Sequence, residues 1–342
     1  MIIIRVIFLL LSVILAVLPW LPAPIAGSFI FLSLAAIPIF IIDIIFLLTI
    51  KRKRHHRHHR HHRPWYKKLN GWRIAFSIVL IGLLPMLHGY LPLLSTQTVP
   101  DSKHPTPITI VSWNVDIFQL KSEILRSSAN LINSHHPDII CFQERPHDNL
   151  MHWDSIKAAF PDYPYTIKNT REDEVLNLAI LSRYPINHLR EFYYPNSFNK
   201  AMRVDLQIGK QKVRLYNVHL ETTSMGSVNR DTSTPALLRM QENSVQRAIQ
   251  SHELAEDIQR TDNPILFCGD FNDTRCGYPY RRLTLHLSDL ARLAPLTGSY
   301  QDYGNFLKID YILYSQDFSP STYNLVSNDW SDHKIQIGKV YF

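Results

Sequence analysis

Three apolar runs fill most of the first hundred residues and limit what this chain can become. Ile2 to Trp20 is broken only by Arg5 and Ser12. Ala26 to Ile50 holds one ionisable residue, Asp43, and a third run extends from Trp72 to Leu94. A bilayer core takes about 20 residues of helix, so each run has the length of a span. We expect three transmembrane helices, at about 2–20, 26–50 and 72–94, making 1–94 a membrane anchor. A cleaved signal peptide ending near Ala26 is the competing reading of the first run. A Pro-rich turn, Pro19 to Pro24, separates the first two runs.

Between the second and third runs lies the basic, His-rich stretch Lys51 to Lys68 within loop 51–71. Short Lys/Arg-rich loops stay on the cytoplasmic side. That orients the third span outward and predicts an integral protein of the inner or plasma membrane whose C-terminal part is extracytoplasmic. The His pairs read as a solvated basic loop near anionic head groups rather than as a metal site. Asp43 is costly against lipid and is expected to face another helix. Trp65, Trp72 and Tyr90 suit the membrane interfaces.

Charge divides the chain at the same place. Residues 1–107 hold twelve Lys/Arg against two acids, a balance of +10 within a total of +7, which leaves −3 for residues 108–342. The basic excess therefore belongs to the anchor and does not signal a nucleic-acid-binding domain. Three cysteines exclude a disulfide framework and no Cys-x-x-Cys pair is present. Cys141 and Cys268 read as core residues, and Cys276 as partly exposed.

Residues 95–107 are polar and Pro-rich, a linker. From Ile108 the pattern turns to short strands: 108–115, 138–142, 177–181, 202–208, 213–218, 265–268, 309–314 and 335–342. Helical periodicity falls at 121–133 and 236–259. Strands and helices mixed over this length predict one α/β domain, a two-sheet sandwich. The segment from Thr222 to Leu238 reads as a long polar loop.

Polar motifs close the strands: Asn114-Val115-Asp116, Gln143-Glu144, Asn217-Val218-His219, Gly269-Asp270-Phe271-Asn272, Asp310-Tyr311 and Ser331-Asp332-His333. Strand ends can converge on one rim. Carboxylates and carboxamides without cysteine suit a hard cation such as Mg²⁺, and Asp with His beside it can activate water at a phosphoryl centre.

The ordered set resembles the endonuclease/exonuclease/phosphatase superfamily, the DNase-I-like fold, over nearly all of 108–342. Asn177 to Ile186 is similar to its central strand. The resemblance implies a four-layer α/β/β/α sandwich, a Mg²⁺ or Mn²⁺ cofactor, and hydrolysis of a phosphoester. It implies Glu144 as principal metal ligand, with Asn114 and Asp332 close to the ion and Asp116 reaching it through water. It implies that Asp270 orients or deprotonates the attacking water and that Asn272 holds phosphate or water. His333 would meet phosphate oxygens, oriented by Asp310, and His219 would contact phosphate or donate a proton. Arg183 and Arg247 read equally as structural ion pairs. The expected partners are the bilayer and a phosphoester, either nucleic acid or a phospholipid or small phosphodiester as in sphingomyelinases. No protein partner follows. A non-catalytic tethered binding domain is disfavoured because the motif residues are all present.

Overall fold

The computed structural model describes residues 2–49, 71–88, 107–172, 176–223, 234–293, 298–302 and 307–342. The basic loop, most of the linker and the last residues of the third apolar run lie outside them. The expected domain boundaries at 94–95 and 107–108 bracket such a region.

The described residues of the apolar N-terminal region form α1 (Ile2–Val17), α2 (Ala23–Gly27), α3 (Ile30–Leu34), α4 (Ala36–Thr49) and α5 (Gly71–His88). The second apolar run is thus not one helix over 26–50. It breaks near Ser28 and Ala35 into three pieces. Among the described residues, one helix, Ile2–Trp20, combines the length and hydropathy needed to cross a membrane. The helices α1, α4 and α5 pack together around Leu15, Ala36, Ile39, Val79 and Leu83. Asp43 is buried there and accepts a hydrogen bond from the Ser12 hydroxyl, so it faces another helix.

Among the described residues, twelve strands build two six-stranded sheets. The first carries β1 (Pro107–Asn114), β2 (Ile139–Arg145), β3 (Tyr165–Lys168), β4 (Asn177–Ser182), β11 (Ser319–Val326) and β12 (Ile335–Tyr341). Its order is β11-β12-β1-β2-β4-β3. The second carries β5 (Ile186–Tyr193), β6 (Lys200–Ile208), β7 (Gln211–His219), β8 (Ile265–Asp270), β9 (Ser288–Asp289) and β10 (Asp310–Tyr314), in the order β5-β6-β7-β8-β10-β9. Parallel pairing occurs where β1 meets β2 and β7 meets β8.

Alternation decides the layers. Ile108, Ile110, Ile139, Cys141, Leu215, Leu266, Cys268 and Ile312 fill the space between the sheets. Their neighbours Val111, Trp113, Ile140 and Phe142 face outward beneath α6 (Ser122–Asn133) and α7 (Trp153–Ala159). On the other side Tyr216, Val218, Phe267 and Tyr311 lie beneath α8 (Ala236–Ile258) and α9 (Tyr278–Leu283). Helix α8 buries Met240, Ser244, Arg247, Ala248, Ser251, Leu254, Ala255 and Ile258, the spacing of one helical face. The result is the expected α/β/β/α sandwich. Ala236 already begins α8, so the last residues of the expected loop, Ala236 to Leu238, are helical.

Candidate active site

Each inner-facing row of the sandwich changes from aliphatic to polar at the same end. On β1 it reads Ile108, Ile110, Ser112, Asn114; on β2, Ile139, Cys141, Gln143; on β7, Val213, Leu215, Asn217, His219; on β8, Leu266, Cys268, Asp270. Gln143 donates to Asn217 Oδ1 at 2.7 Å, and Asn217 donates to the Phe142 and Ala179 carbonyls at 3.0 Å, bridging the sheets beneath the rim. Polar groups this deep are tolerated because they are bonded to each other.

Glu144 breaks the alternation. By parity it belongs on the outer face. The β2–β4 register slips between Phe142 and Arg145, and Glu144 has φ 53°. This bulge re-aims the side chain toward the rim. There the Asn114 carboxamide donates to Glu144 Oε1 at 2.9 Å and to Asp270 Oδ2 at 3.2 Å. Gly269, at φ 143°, places its α-carbon where a Cβ would collide with the Val218 carbonyl, so only glycine can precede Asp270 here.

The histidines take opposite states. His333 Nδ1 is 3.0 Å from both Asp310 oxygens, and its Nε2 lies 3.6 Å from Asp270 and 3.8 Å from Asp332. Burial opposes its charge, but Asp310 and Asp270 outweigh this and hold the imidazole well above its usual range. Asp310, though buried, is held low mainly by the His333 charge and hydrogen bond. His219 Nε2 stands 3.7 Å from Glu144 and 3.6 Å from Asp270, while its buried Nδ1 has no partner. Burial, with His333 and Lys200 nearby, pushes its pKa down to about 3. His219 is therefore neutral and can donate a hydrogen bond, whereas His333 is the cation.

Unlike Asp310, three other rim carboxylates are held above their ordinary range. Burial raises Glu144 to about 7, and burial with the Asp310 charge raises Asp270 to about 8. Asp116 also moves up through burial and the neighbouring Asp332. Oxygen donors converging at unfavourably buried carboxylates fit a hard divalent cation, which relieves that repulsion. Ligand atoms of Asp270, Asp310 and His333 also lie within 4.8 Å of one another. His333 Nδ1 is already committed to Asp310 and a cationic imidazole cannot ligate, so the Glu144 side of the rim suits the ion better. Asn272 donates its amide to Asp270 Oδ1 at 2.8 Å and its carboxamide to the Leu220 carbonyl at 3.0 Å.

Residues 111–333 match the model of the Endonuclease/Exonuclease/phosphatase family. The chain belongs to this family. No curated protein sequence matches it. Among solved structures, TDP2 from C. elegans superimposes with a TM-score of 0.55 at 16% identity, covering 86% of this chain and 98% of that one. TDP2 from D. rerio, solved with a single-strand DNA product, gives 0.54 at 15%, covering 69% and 99%. A mannosyl-6-phosphatase from Bacteroides thetaiotaomicron gives 0.50 at 16%, covering 69% and 100%. At such identity the likeness carries the fold.

Within this Endonuclease/Exonuclease/phosphatase domain, Asn114, Glu144, His219, Asp270, Asp310, Asp332 and His333 meet at one rim. Asp116 joins through its amide, which donates to Asn114 Oδ1 at 3.2 Å. Arg183 forms a half-exposed pair with Asp138 at 3.8 Å and lies over the Tyr163 ring. Arg247 is buried and donates to the Glu221 carbonyl at 2.9 Å. Cys276, expected to be partly exposed, is buried against the anchor helices. Glu172 pairs with Arg145 and Lys168. Two cations had no sequence signal. Lys200 is buried on β6 opposite His219. Lys308 is buried behind Asp310, donating to the Asp310 carbonyl at 2.7 Å and the Tyr323 hydroxyl at 2.6 Å. Strand register places Lys200 and tertiary contacts with β10 and Tyr323 place Lys308, and a single sequence displays neither.

Proposed function

We propose that the chain is a membrane-anchored, divalent-metal-dependent phosphoesterase that hydrolyses a phosphodiester by in-line attack of water. The observation that carries this is the pairing, across one rim, of the raised Glu144 and Asp270 carboxylates with the His333–Asp310 cation. Glu144 with Asn114, Asp332 and Asp116 would hold Mg²⁺ or Mn²⁺. A bound ion would neutralise phosphate charge and lower the pKa of water. Asp270, fixed by the Asn272 amide, orients the attacking water and accepts its proton. His333, held by Asp310 through Nδ1, presents Nε2–H to a phosphate oxygen as charge grows there. His219 donates a neutral hydrogen bond from Nε2 to the same group.

Anchoring is supported by the apolar Ile2–Trp20 helix and by the basic stretch from Lys51 to Lys68. In this reading 1–94 is the anchor, 95–107 the linker and 108–342 the extracytoplasmic catalytic domain.

The metal test uses the full chain and bis-p-nitrophenyl phosphate. Activity should require Mg²⁺ or Mn²⁺, vanish in EDTA, and fall by about 10³ in Glu144→Gln. Undiminished turnover of Glu144→Gln without metal would overturn the assignment. For topology, alkaline phosphatase fused after Phe342 should be active, and an inactive fusion beside an active cytoplasmic reporter would reverse the orientation.

A further inference from the structure

We infer that the catalytic rim faces the bilayer that holds the anchor, and that the substrate is the phosphoester of a membrane lipid head group. The inference rests on the anchored-phosphoesterase reading above.

Helix α8 supplies the ruler. Near its C-terminus Asp257 accepts from the Tyr216 hydroxyl of mid-β7 at 2.8 Å. Two turns earlier Gln250 accepts from the Glu221 amide at 2.8 Å, and Arg247 donates to the Glu221 carbonyl, both just past His219. The helix therefore runs antiparallel to β7. At about 1.5 Å per residue, its first turns project beyond the catalytic end of the sheets.

The anchor is seated at that level. A Cβ on Gly27 of α2 would lie 2.5 Å from Val245 Cα and 2.8 Å from the Ser244 carbonyl, so backbone meets backbone. Leu18, Ala23 and Ala26 pack on Ala248 and Tyr278. Thus α8 holds the anchor on one face and the turn after His219 on the other.

The segment following Asp270 repeats the arrangement. Asp273 lies 3.7 Å from Arg247, and its carboxylate fills the space beside Gly277, just ahead of α9. On α9, Arg281 donates to the carbonyls of Leu15 and of Ala16, the latter at 3.1 Å, and Arg282 to that of Pro19 at 3.4 Å. These are backbone acceptors in the last turn of α1 and just past it, where helical carbonyls run short of intrahelical donors. Cys276 is buried against the α1, α4 and α5 core. Both catalytic strands, β7 and β8, therefore lead directly into the anchor seat.

Apolar side chains are exposed around the same end. Phe198 is 61% exposed on the loop whose Pro195 carbonyl accepts from Gln246 of α8. Leu237 and Leu238 begin α8, and Trp20 and Ile25 flank the docked segment, all exposed. Exposed aromatic and aliphatic groups continuous with a spanning bundle suit the head-group region. The opposite end of the sandwich carries instead the hairpin turn Gly209-Lys210. A rim held so close to the bilayer meets lipid phosphoesters at high local concentration, while a polymer such as DNA would have to enter between rim and membrane. In hydrolysis, water oxygen bonds to phosphorus and one phosphorus–ester oxygen bond breaks. The departing oxygen leaves as an alcohol, with the proton relayed from water.

The test reconstitutes the full chain into phosphatidylcholine vesicles containing phosphatidylglycerol and sphingomyelin. Phe198→Cys and Leu238→Cys, labelled with an environment-sensitive dye, should be quenched by spin-labelled lipid, and Lys210→Cys should not. With Mg²⁺, lipid phosphoester in the protein's own vesicles should be cleaved about 10²-fold faster than in added protein-free vesicles, the scale of a tethering advantage. Unquenched Phe198→Cys, or Lys210→Cys quenched equally, overturns the orientation. Cleavage of bis-p-nitrophenyl phosphate or plasmid DNA with none of lipid overturns the substrate class alone. If no phosphoester is cleaved, the phosphoesterase reading falls first.

Discussion

The N-terminal helices and the sandwich distribute the same kinds of side chain in opposite directions. In the N-terminal helices, Ile3 is 75% exposed and Leu48 72%, while Ser12 and Asp43 are fully buried. In the sandwich, Ile110, Leu215 and Leu266 are fully buried and the exposed positions are mostly polar. An apolar exterior over a polar contact suits a hydrocarbon solvent, since water drives such chains inward. In the proposed anchoring, each region would be folded for its own solvent.

The largest expected effect lies at the rim. His333→Ala and Asp310→Ala should each lower kcat by about 10²–10⁴, the range for a positioned proton-transfer or electrostatic group. Because Asp310 acts by holding His333, the double variant should be no slower than the slower single one. Independent multiplication in a double-mutant cycle would show that the two do not form a unit.

A smaller contrast tests the two solvents. Leu215→Ala removes a fully buried side chain between the sheets and should cost about 2–5 kcal/mol, read by denaturant unfolding of the detergent-solubilised chain. Ile78→Ala, on the exposed face of α5, should change the same measurement by less than about 0.5 kcal/mol. Equal losses would mean that Ile78 is covered by protein.

The smallest effect is a pH slope. In the metal-free fold Glu144 holds a proton up to about 7, Asp270 up to about 8, and His333 to well above 6.5. Unfolded, all three release it earlier, so the native state binds more protons and stability falls as pH rises between 6.5 and 8. His219, lowered to about 3, works the other way below its ordinary 6.5, and Lys308, lowered by burial to about 7, offsets part of the decline above that. The Tm should therefore decline across that interval and recover on adding Mg²⁺, with the recovery larger at the higher pH. A Tm independent of both pH and Mg²⁺ would remove the strained-carboxylate account of the site.

Much of this was legible in the residues. Alternation located eight of the strands, and the two helical stretches became α6 and α8 within a residue or two. The missed strands explain themselves. Ile186–Tyr193 is an edge strand with mostly polar or half-exposed residues, and Ser319–Val326 is half-exposed too, so neither has a clean period of two.

By itself the sequence determined two regimes of hydropathy, the alternation that makes two sheets, and the ordered motif residues that place this chain in its family. These are local quantities, set by the period of side chains along one strand or helix. Only the tertiary structure decided that a bulge turns Glu144 inward, that His219 is neutral while His333 is charged, and that the second apolar run breaks to seat Gly27 on α8. Each of these depends on groups far apart in the chain: β4 against β2, Asp310 against His333, Val245 against Gly27. Register, burial and charge proximity are properties of the folded contacts, and no stretch of sequence contains them.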